Sequence, residues 1–468
     1  MIDLKALREN PERFREGAAT KQRGDVDIDA ILAMDEERRA LATRADELRS
    51  EQKRLAKESG PRIGQLSGKL KKAEGAERTS IEEEIAELKA KPGALKGEIQ
   101  ALDDKLAAVE PKLREALLRV PQPPDGDVPV GASAEENVEV RRWSPEGFDP
   151  DAAFGEQRGF EPRTHEELVA SLGLVDFGRG VKIAGSRSYI LTGMGMKLHQ
   201  AVLRFAMDLI TEEKGFTPMS APVLVREEAM IGTGFFPGGK EQTYRIDETS
   251  RGSGQDMYLT GTGEVALMGM FGDEIIDDTE LPIKVATMST CFRREAGAAG
   301  RDTAGLYRIH QFDKVEQVVI CRADEAESRR WHGEMIGIVE ELLQRLELPY
   351  RLLQCCTGDL GDKNADMIDV ECWMPSRGEL DADGKPRGDW GETHSASRLY
   401  DFQCRRLNMR YRGDTTEGKT VFCHSLNNTV AASPRLLIPI LEMHQRADGT
   451  VTVPEALRPY MGGIERIG

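Results

Sequence analysis

The sequence lacks the cysteine pattern of a metal-binding or disulfide-stabilised protein. Its 468 residues include seven cysteines, which show neither the paired spacing of a zinc site nor the density of a disulfide scaffold. No apolar run reaches the length of a membrane span. The start MIDLKALREN is charged where a secretory signal needs an apolar stretch. We therefore expect a cytoplasmic protein without structural zinc.

The glycine-rich fingerprints of nucleotide-binding βαβ folds are also absent. The segment GTGEVA lacks the third glycine of a dinucleotide site and the Lys-Ser/Thr pair of a P-loop. Helical stretches such as KLHQAVLRFAMDLITEEKG are instead mixed with strand-like runs such as LPIKVATMSTCFRRE, MIDVECWMP and KTVFCHSLN. This mixture favours an α+β class, with an antiparallel sheet flanked by helices.

An excess of positive charge is missing as well, since the formal net charge is −17. Residues 1–120 contain 25 basic and 25 acidic side chains, so the whole excess of acid lies in the remainder. The sum argues weakly against non-specific nucleic-acid binding, but the distribution of charge matters more.

The N-terminal part has the apolar spacing of a coiled-coil hairpin over about residues 27–120. Two series of apolar residues recur at intervals of three and four, separated by the turn-like KKAEGAERTS. Pairing Leu41 with Leu113 and Leu66 with Leu88 gives one constant antiparallel register, with the tip near residue 77. The same register places Pro61 nearly opposite Pro92, and we expect both helices to kink there. The apolar series are Ile31, Met34, Leu41, Ala45, Leu48 and Leu55, then Ile81, Ile85, Leu88, Leu95, Ile99, Leu102, Leu106, Val109 and Leu113.

Basic side chains concentrate on the outer part of this hairpin. Residues 53–72 hold seven of them against a single acid, Glu58. A rod for dimerisation, a spacer or a bare solvated helix face would explain the hairpin alone, whereas the basic patch favours contact with a phosphate backbone. The seven basic residues predicted to contact a phosphate backbone are Lys53, Arg54, Lys57, Arg62, Lys69, Lys71 and Lys72.

The segment that follows the hairpin, PQPPDGDVPVGASAEENVEV, is rich in Pro, Gly and Asp and reads as a linker. We predict an N-terminal domain at 1–120, a linker at 121–134 and a second domain at 135–468.

One charged segment of the second domain, CFRREAGAAGRDTAGLYRIHQFDKVEQVVI, has the alternation of two strands joined by a loop. Period-two alternation places Arg308, His310, Phe312, Lys314 and Glu316 on one face. A salt-bridged solvated face is the commoner explanation for alternating charges. An aromatic among fixed cations and carboxylates favours a polar ligand floor that clamps phosphate and stacks on a base.

This segment resembles the second signature motif of class II aminoacyl-tRNA synthetases, in particular of seryl-tRNA synthetases. Their pattern runs F-R-x-E, a loop with A-G and G-R-D-T, then R-x-H-Q-F-D-K-V-E. The similarity extends along the chain, from MIDLKALRENPE through DVPVGASAEENVEVRRW to VPEALRPYMGG. The resemblance implies that the hairpin is the family's tRNA-binding arm, with the seven basic residues at 53–72 as its tRNA-binding residues. It also implies that residues 1–120 form the N-terminal tRNA-binding domain and residues 135–468 the class II catalytic domain.

The resemblance also implies roles at the ATP site. Arg293 would hold the α-phosphate and the serine carboxylate, Glu295 the amino edge of adenine, and Phe312 would stack on the base. HSLNNTVAASPRLLIPILEMHQ resembles the third motif, in which Arg435 would clamp the γ-phosphate. Arg293, Glu295 and Arg435 are thus the predicted catalytic residues. Arg301 and Asp302 fall in the loop that closes over ATP and then the tRNA end.

The serine-binding residues follow from the same match. YLTGTGEVAL carries the family's T-A-E segment as T-G-E, a change that we expect to alter little. GFTPMSAPVLV resembles the first motif, whose Pro222 would lie at a dimer interface. Where the family often has a Gly-Arg pair in motif three, this chain has Pro434, and we expect Ser433 as a possible helix cap and a short or kinked helix start. The predicted serine contacts are Thr262, Gly263, Glu264, Arg293, Glu316, Asn427 and Thr429.

GETHSASRLYDFQCRR departs most from the family's E-I-S-S-C-S-N pattern. By the match, Glu392 and Ser395 bind ATP through Mg²⁺, a hard ion suited to oxygen ligands. His394 and Arg398 replace a Ser and an Asn, and we expect Arg398 to put a new cation near that site.

We therefore predict an ATP-dependent serine–tRNA ligase acting as a homodimer on tRNA(Ser), with tRNA(Sec) as a second candidate substrate. One alternative is a serine-adenylating paralogue that serves a non-tRNA acceptor such as a carrier protein. The intact basic arm argues against it. A second alternative, a non-catalytic interaction protein, would be expected to have lost Arg293, Glu295, Phe312 or Arg435, and all four are present.

Overall fold

The computed structural model describes residues 1–252, 254–297, 305–380, 384 and 386–468. The chain folds into two compact units: residues 24–120, which we call the arm, and residues 1–23 with 121–468, which we call the body. The first 23 residues thus belong to the body, whereas the sequence predicted one N-terminal domain over residues 1–120. The helices are α1 Leu4–Glu9, α2 Pro11–Thr20, α3 Ile28–Leu70, α4 Gly75–Arg119, α5 Phe154–Arg158, α6 His165–Ser171, α7 Phe177–Ala184, α8 Gly193–Asp208, α9 Glu227–Gly232, α10 Glu264–Gly269, α11 Glu325–Arg345, α12 Phe402–Arg406 and α13 Leu437–Met443.

The strands belong mainly to one eight-stranded sheet in the body, in the order β1-β9-β10-β11-β14-β8-β7-β2. Its neighbouring strands pair antiparallel, except β2 with β7, which are parallel. The sheet thus has the predicted class. The strands are β1 Val138–Trp143, β2 Thr217–Met219, β3 Leu224–Arg226, β4 Tyr244–Ile246, β5 Met257–Leu259, β6 Ile275–Asp277, β7 Ile283–Phe292, β8 Gln311–Cys321, β9 Tyr350–Gln354, β10 Asp366–Met374, β11 Asp389–Tyr400, β12 Arg410–Arg412, β13 Val421–Phe422, β14 His424–Ser433, β15 Val451–Thr452 and β16 Arg466–Ile467.

The arm consists of the long helices α3 and α4, packed against each other as the apolar spacing predicts. The turn at residues 71–74 lies a few residues before the predicted tip near 77. Ala73 in this turn is buried and belongs to one apolar cluster with Leu66, Ile81 and Ile85. Gly75 begins α4 with φ of +60°, a conformation that costs glycine little.

Pro61 lies inside α3, Pro92 and Pro111 lie inside α4, and both helices continue through them. The Gln52 side chain of α3 donates a hydrogen bond to the Pro92 carbonyl at 3.2 Å, and Arg62 pairs with Glu84 across the arm at 2.7 Å. Such exposed pairs contribute little each, so apolar packing holds the arm together. The kink at Pro61 and Pro92 stays a prediction.

The main apolar core lies on one face of the sheet, beneath α8 and α11. Val315 and Val319 of β8 point into it and are fully buried, as the period-two alternation predicts. Lys314 and Glu316 therefore point to the opposite face. Since α8 and α11 occupy the core side, the chemistry-bearing side chains of β8 share the other side.

The segment predicted as a linker is packed against the body. Gln122 N donates to Asp362 O at 2.7 Å and Asp125 N to Ala365 O at 2.9 Å. Farther along, Thr357 N donates to Pro129 O at 2.9 Å. The chain leaving the arm is thus fixed by backbone hydrogen bonds.

No helix in the described ranges is long and apolar enough to cross a membrane.

Candidate active site

The centre of the site is the hairpin of β7 and β8, which pairs as predicted, from Ile283 opposite Ile320 to Phe292 opposite Gln311. Arg308 and His310, predicted on the strand, lie before it. The hairpin ladder ends where Arg293 N donates to His310 O at 2.9 Å and His310 N to Arg187 O at 3.2 Å. Those two bonds draw the preceding chain out of the sheet.

A pocket with about 580 Å³ of empty space opens over this hairpin. It joins side chains from the second motif, the third motif and β11, which lie far apart in the sequence. Its lining includes Arg293, Glu295, Tyr307, Ile309, Phe312, Lys314, Glu392, Thr393, His394, Ser395, Thr429, Ala432 and Arg435.

At one end of the pocket, an arginine lies over an aromatic ring. The guanidinium carbon of Arg293 is 5.2 Å from the centre of the Phe312 ring, a cation–π distance. Arg293 is exposed and Phe312 is half-buried, so both present surface to the pocket. Glu295 adopts φ of +51°, and its carboxylate accepts a hydrogen bond from Arg308 at 2.8 Å. Arg308 thus fixes the direction of Glu295.

Arg435 reaches the pocket from the turn between β14 and α13. Its Nε donates to Tyr307 O at 3.1 Å and its Nη1 to Glu392 O at 3.2 Å. The guanidinium carbon lies 4.5 Å from the centre of the Tyr307 ring. The Tyr307 hydroxyl in turn donates to Glu392 O at 3.1 Å. Arg435 is held by backbone carbonyls, and the Glu392 carboxylate forms a longer ion pair with it, at 3.7 Å.

The expected cap of the third-motif helix is not formed. Ser433 ends β14, and its hydroxyl contacts His199 Nδ1 at 2.8 Å. The helix α13 begins only at Leu437 and has no side-chain cap. The helix is short, with 7 residues. Pro439 fits because it lies in the first turn of α13, where no intrahelical N–H is needed.

The inner end of the pocket is a buried polar cluster around Lys314. Its ammonium donates to Thr262 Oγ1 at 2.8 Å and to Thr429 Oγ1 at 3.3 Å, and it forms an ion pair with Glu316. Thr262 donates to Glu316 Oε2 at 2.9 Å. The sequence predicted three of these residues; the role of Lys314 was missed, although its place on the same strand face as Glu316 was the available signal.

Among the predicted serine contacts, Arg293 and Thr429 belong to the pocket lining. The other five lie outside the lining: Thr262, Gly263, Glu264, Glu316 and Asn427. Glu264 is 2% exposed, and Asn427 Nδ2 donates to its Oε1 at 2.7 Å. Glu264 N lies 3.3 Å from Thr262 Oγ1. Glu264 is therefore buried next to Thr262 and Asn427, and its contact with serine stays a prediction.

Gly263 is constrained more tightly than expected. A Cβ at this position would lie 2.5 Å from Thr287 Cγ2 and 3.1 Å from Ser289 Oγ. Real Cβ atoms essentially never come so close to other atoms, so an alanine at this position would require the Thr287 side chain to move. The expectation that the change from alanine to glycine alters little stays a prediction.

The oxygen donors predicted for a metal ion lie on β11 at the pocket wall. Glu392 is exposed and Ser395 is half-buried, and Asp369 is the partner of Ser395 across the β10–β11 ladder. Burial and the nearby Glu392 carboxylate raise the pKa of Asp369 well above its usual range. A carboxylate, a hydroxyl and a neighbouring acid are hard ligands that suit Mg²⁺.

The two residues that depart from the family pattern, His394 and Arg398, are both buried. His394 is 1% exposed, its Nδ1 lies 2.8 Å from Thr393 Oγ1, and burial lowers its pKa to about 3. Its imidazole is therefore neutral at physiological pH. Arg398 does not line the pocket, which corrects the expectation of a new cation there. Strand alternation turns Arg398 to the α11 side, where it pairs with Asp125 and, at 2.9 Å, with Asp366.

The predicted tRNA-binding side chains of the arm are all exposed. Arg54 is paired with Glu51 and Glu58, and Arg62 with Glu84. The five lysines make no ion pair within the described part of the chain. The lysines therefore carry most of the uncompensated charge of the patch.

The remaining predicted residues belong to the dimer interface and to the loop expected to close over ATP. Pro222 is exposed between β2 and β3, beside the edge strand of the main sheet. Arg301 and Asp302 lie outside the described residues.

Comparison with known proteins agrees along the whole length. Residues 1–124 match the seryl-tRNA synthetase N-terminal domain, and residues 244–444 match the class II tRNA synthetase core domain of the G, H, P, S and T enzymes. The chain is 41% identical to the serine–tRNA ligase of Deinococcus radiodurans over 469 residues, covering 100% of this chain and 99% of the relative. It is 42% identical to that of Thermomicrobium roseum, covering 100% and 95%.

Solved structures give the same result. Seryl-tRNA synthetase from Pyrococcus horikoshii in complex with ATP matches with a TM-score of 0.84 at 36% identity, covering 100% of this chain and 99% of that one. The cytoplasmic serine–tRNA ligase of Naegleria fowleri in complex with AMP matches with a TM-score of 0.79 at 29% identity, covering 98% and 95%. Fold, motif order and full-length identity agree, and this chain therefore belongs to the seryl-tRNA synthetase family of class II aminoacyl-tRNA synthetases.

Proposed function

We propose that this chain is a serine–tRNA ligase that works in two steps at the pocket over β7 and β8. A serine carboxylate oxygen attacks the α-phosphorus of ATP, and pyrophosphate leaves to give seryl-adenylate. A ribose hydroxyl at the tRNA 3′ end then attacks the seryl carbonyl, and AMP leaves. The observation that carries this proposal is the pocket itself, with exposed cationic and aromatic groups at one end and a buried polar cluster at the other.

The outer end of the pocket suits a nucleotide triphosphate. Phe312 offers a face for adenine, Glu295 an acceptor for the adenine amino group, and Arg293 and Arg435 offer guanidinium groups for phosphates. Because these cations are fixed before the reaction, they stabilise charge that develops at the α-phosphate without reorganisation. In this assignment Arg293 and Arg435 act at opposite ends of the triphosphate.

The inner end of the pocket suits a small amino acid with a hydroxyl group. Thr429, Lys314 and Glu316 present a hydroxyl, an ammonium and a carboxylate that are largely shielded from water. A serine hydroxyl can hydrogen-bond within this cluster, whereas an alanine methyl would leave a buried polar group unpaired. Selection of serine over alanine then follows from desolvation rather than from size.

Glu392 and Ser395, supported by Asp369, are the residues that would hold Mg²⁺ with ATP. The ion would neutralise phosphate charge and orient the pyrophosphate leaving group. This chain's own contribution is to present oxygen donors opposite Arg435.

The remaining proposals concern partners. The arm would bind tRNA(Ser) through its exposed lysines, and tRNA(Sec) is a second candidate. Pro222 and the sheet edge beside it would form the interface of a homodimer. A cytoplasmic location is our prediction from composition.

The direct test is serine-dependent exchange of pyrophosphate into ATP, run with wild type and Glu316→Gln. We expect exchange with serine and at least tenfold less with alanine or threonine at equal concentration. Glu316→Gln should raise the KM for serine and leave the KM for ATP within about twofold. Exchange that is equally fast with alanine would contradict the assignment of the inner end. Exchange without tRNA charging would indicate an acceptor other than tRNA.

A further inference from the structure

A lysine outside the motifs holds the buried carboxylate that supports the amino-acid end of the site. Lys363 Nζ lies 2.6 Å from both carboxylate oxygens of Glu264. Its side chain is mostly buried, and the ammonium stands 4.3 Å from the centre of the Phe235 ring. Neither the sequence motifs nor the assignments above include this lysine.

Glu264 needs that counter-ion. Its carboxylate also accepts hydrogen bonds from Gln403 at 2.6 Å and Asn427 at 2.7 Å, but both donors are neutral. Among the residues with described positions, Lys363 is the one cation within ion-pair distance of Glu264. Removing one partner of a buried pair leaves an uncompensated charge and is strongly unfavourable.

Displacement of Glu264 would reach the pocket through two contacts. Asn427, which Glu264 accepts from, is a predicted serine contact on β14. Thr262 lies beside the Glu264 backbone N–H. Its hydroxyl accepts a hydrogen bond from the Lys314 ammonium and donates one to Glu316. Lys363 is therefore connected to the serine end of the pocket and not to the nucleotide end.

The loop that carries this lysine, residues 361–364, is held by the chain that enters the arm. Lys21 donates to Gly361 O at 2.9 Å and to Asn364 O at 2.5 Å. Arg23 forms an ion pair with Asp362. These contacts come immediately before residue 24, where the arm begins.

The chain that leaves the arm holds the same loop from its other flank. Gln122 N donates to Asp362 O, and Asp125 N donates to Ala365 O. Asp125 is itself anchored by Arg398, and Asn364 is anchored by Ser397 at 2.9 Å. Both chain segments that bound the arm therefore converge on the loop that aims Lys363.

We propose that Lys363 is a positioning residue for the amino-acid site, which it orders by neutralising Glu264, and that the segments bounding the arm hold it in place. This inference rests on the proposed function and names a residue that acts on the same site. It assigns to residues 21–23 and 122–125 an effect on serine binding without contact to the pocket.

The test is a double-substitution cycle on the full-length chain, measured by serine-dependent pyrophosphate exchange. Lys363→Met should raise the KM for serine at least tenfold and leave the KM for ATP within twofold, and Lys363→Arg should recover most of the loss. Because Glu264→Gln removes the charge that Lys363 neutralises, the double variant Lys363→Met with Glu264→Gln should resemble Glu264→Gln alone. The double variant buries no unpaired charge, so it keeps the test valid even if Lys363→Met fails to fold.

The grip of the arm-bounding segments is tested by Lys21→Met, with exposed Lys5→Met as the matched control. Lys21→Met should raise the serine KM about threefold or more, in the same direction as Lys363→Met, and Lys5→Met should not. Three outcomes would overturn the inference. The first is that the effects of Lys363→Met and Glu264→Gln on the serine KM are additive. The others are parallel changes in the serine and ATP KM values, and an unchanged serine KM in Lys363→Met or Lys21→Met. A wild-type chain without serine-dependent exchange would overturn the proposed function instead.

Discussion

At Gly263 the backbone approaches β7 so closely that a single methyl group decides the fit. Gly263→Ala would place a Cβ 2.5 Å from Thr287 Cγ2. We expect this variant to lose about 1–3 kcal/mol of unfolding free energy, the usual cost of overpacking, and to bind serine more weakly because Thr262 and Glu264 flank it. Chemical denaturation and the serine KM measure the two effects.

The matched control for Gly263→Ala is a second substitution that removes the clashing methyl group. Thr287→Ser deletes Cγ2 and keeps the hydroxyl, so the double variant Gly263→Ala with Thr287→Ser should regain most of the lost stability. If Gly263→Ala is as stable as wild type, the close approach of Gly263 to the Thr287 side chain of β7 is wrong.

The sequence predicts individual side chains well where strand alternation decides their direction. Phe312, Lys314 and Glu316 share one face because they alternate along β8. Arg398 was expected near the ATP site because of its place in the family motif. Neither the motif nor strand alternation identifies the distant residues with which a charge pairs. Its carboxylates come from Asp125 and Asp366, which no local pattern connects to it.

At the scale of elements, the arm should contribute to tRNA affinity through its uncompensated lysines. Replacing Lys69, Lys71 and Lys72 by Gln should weaken tRNA binding about tenfold or more at low salt and reduce the steepness of the salt dependence, because fewer counterions are released. Serine-dependent pyrophosphate exchange without tRNA should not change. Binding titrations at several salt concentrations check both expectations.

A matched control for the arm lies on the second helix. Lys89, Lys91 and Lys96 of α4 are also exposed but lie outside the predicted patch. Their replacement by Gln should affect tRNA affinity much less. An equal loss in both triple variants would show that net charge, rather than the patch on residues 53–72, determines binding.

The elements themselves illustrate what apolar spacing can and cannot predict. Intervals of three and four residues predicted α3, α4 and their antiparallel packing. The constant register of the paired residues placed the tip near residue 77, whereas the turn lies at residues 71–74. Apolar spacing determines which residues of two helices face each other, but it does not determine the residue at which each helix ends.

At the scale of the whole molecule, the contact between residues 1–23 and the 361–364 loop should depend on pH. Desolvation by burial lowers the pKa of Lys21 to about 7. The Arg23 charge acts in the same direction, and the Asp362 carboxylate opposes both. The unfolded chain then binds more protons at this site than the folded one between about pH 7 and the ordinary lysine pKa of about 10.5. Folding stability contributed by Lys21 therefore rises with pH across that window, by at most about 1.4 kcal/mol per pH unit.

The comparison that isolates Lys21 is with Lys21→Met, which cannot titrate. Denaturation at pH 7, 8 and 9 should show wild type gaining stability relative to the variant as the pH rises. A constant difference across these three values would contradict the lowered pKa.

The proposed homodimer is also a property of the whole molecule. Sedimentation should give twice the chain mass of 51.9 kDa. Two exposed apolar side chains lie in this region: Leu224, two residues after Pro222, and Met288 on β7, the neighbour of the edge strand β2. The double variant Leu224→Glu with Met288→Lys should shift the mass toward the monomer. An unchanged mass would place the interface elsewhere.

Domain organisation was predictable in outline because composition and charge change sharply after residue 120. The packing of the expected linker could not be predicted, because Pro, Gly and Asp indicate irregular backbone but do not identify the segments that this backbone contacts. Gln122 and Asp125 pair with the backbone of residues 362 and 365, and only the folded chain brings these segments together.

The measurement that tests the central claim most directly is charging of tRNA(Ser) with labelled serine by the full-length chain, with pyrophosphate exchange on the same preparation. The account predicts both activities, and loss of both when Arg293→Ala removes the cation over Phe312. Exchange without charging would contradict tRNA as the acceptor, and the absence of both activities would contradict the ligase assignment itself.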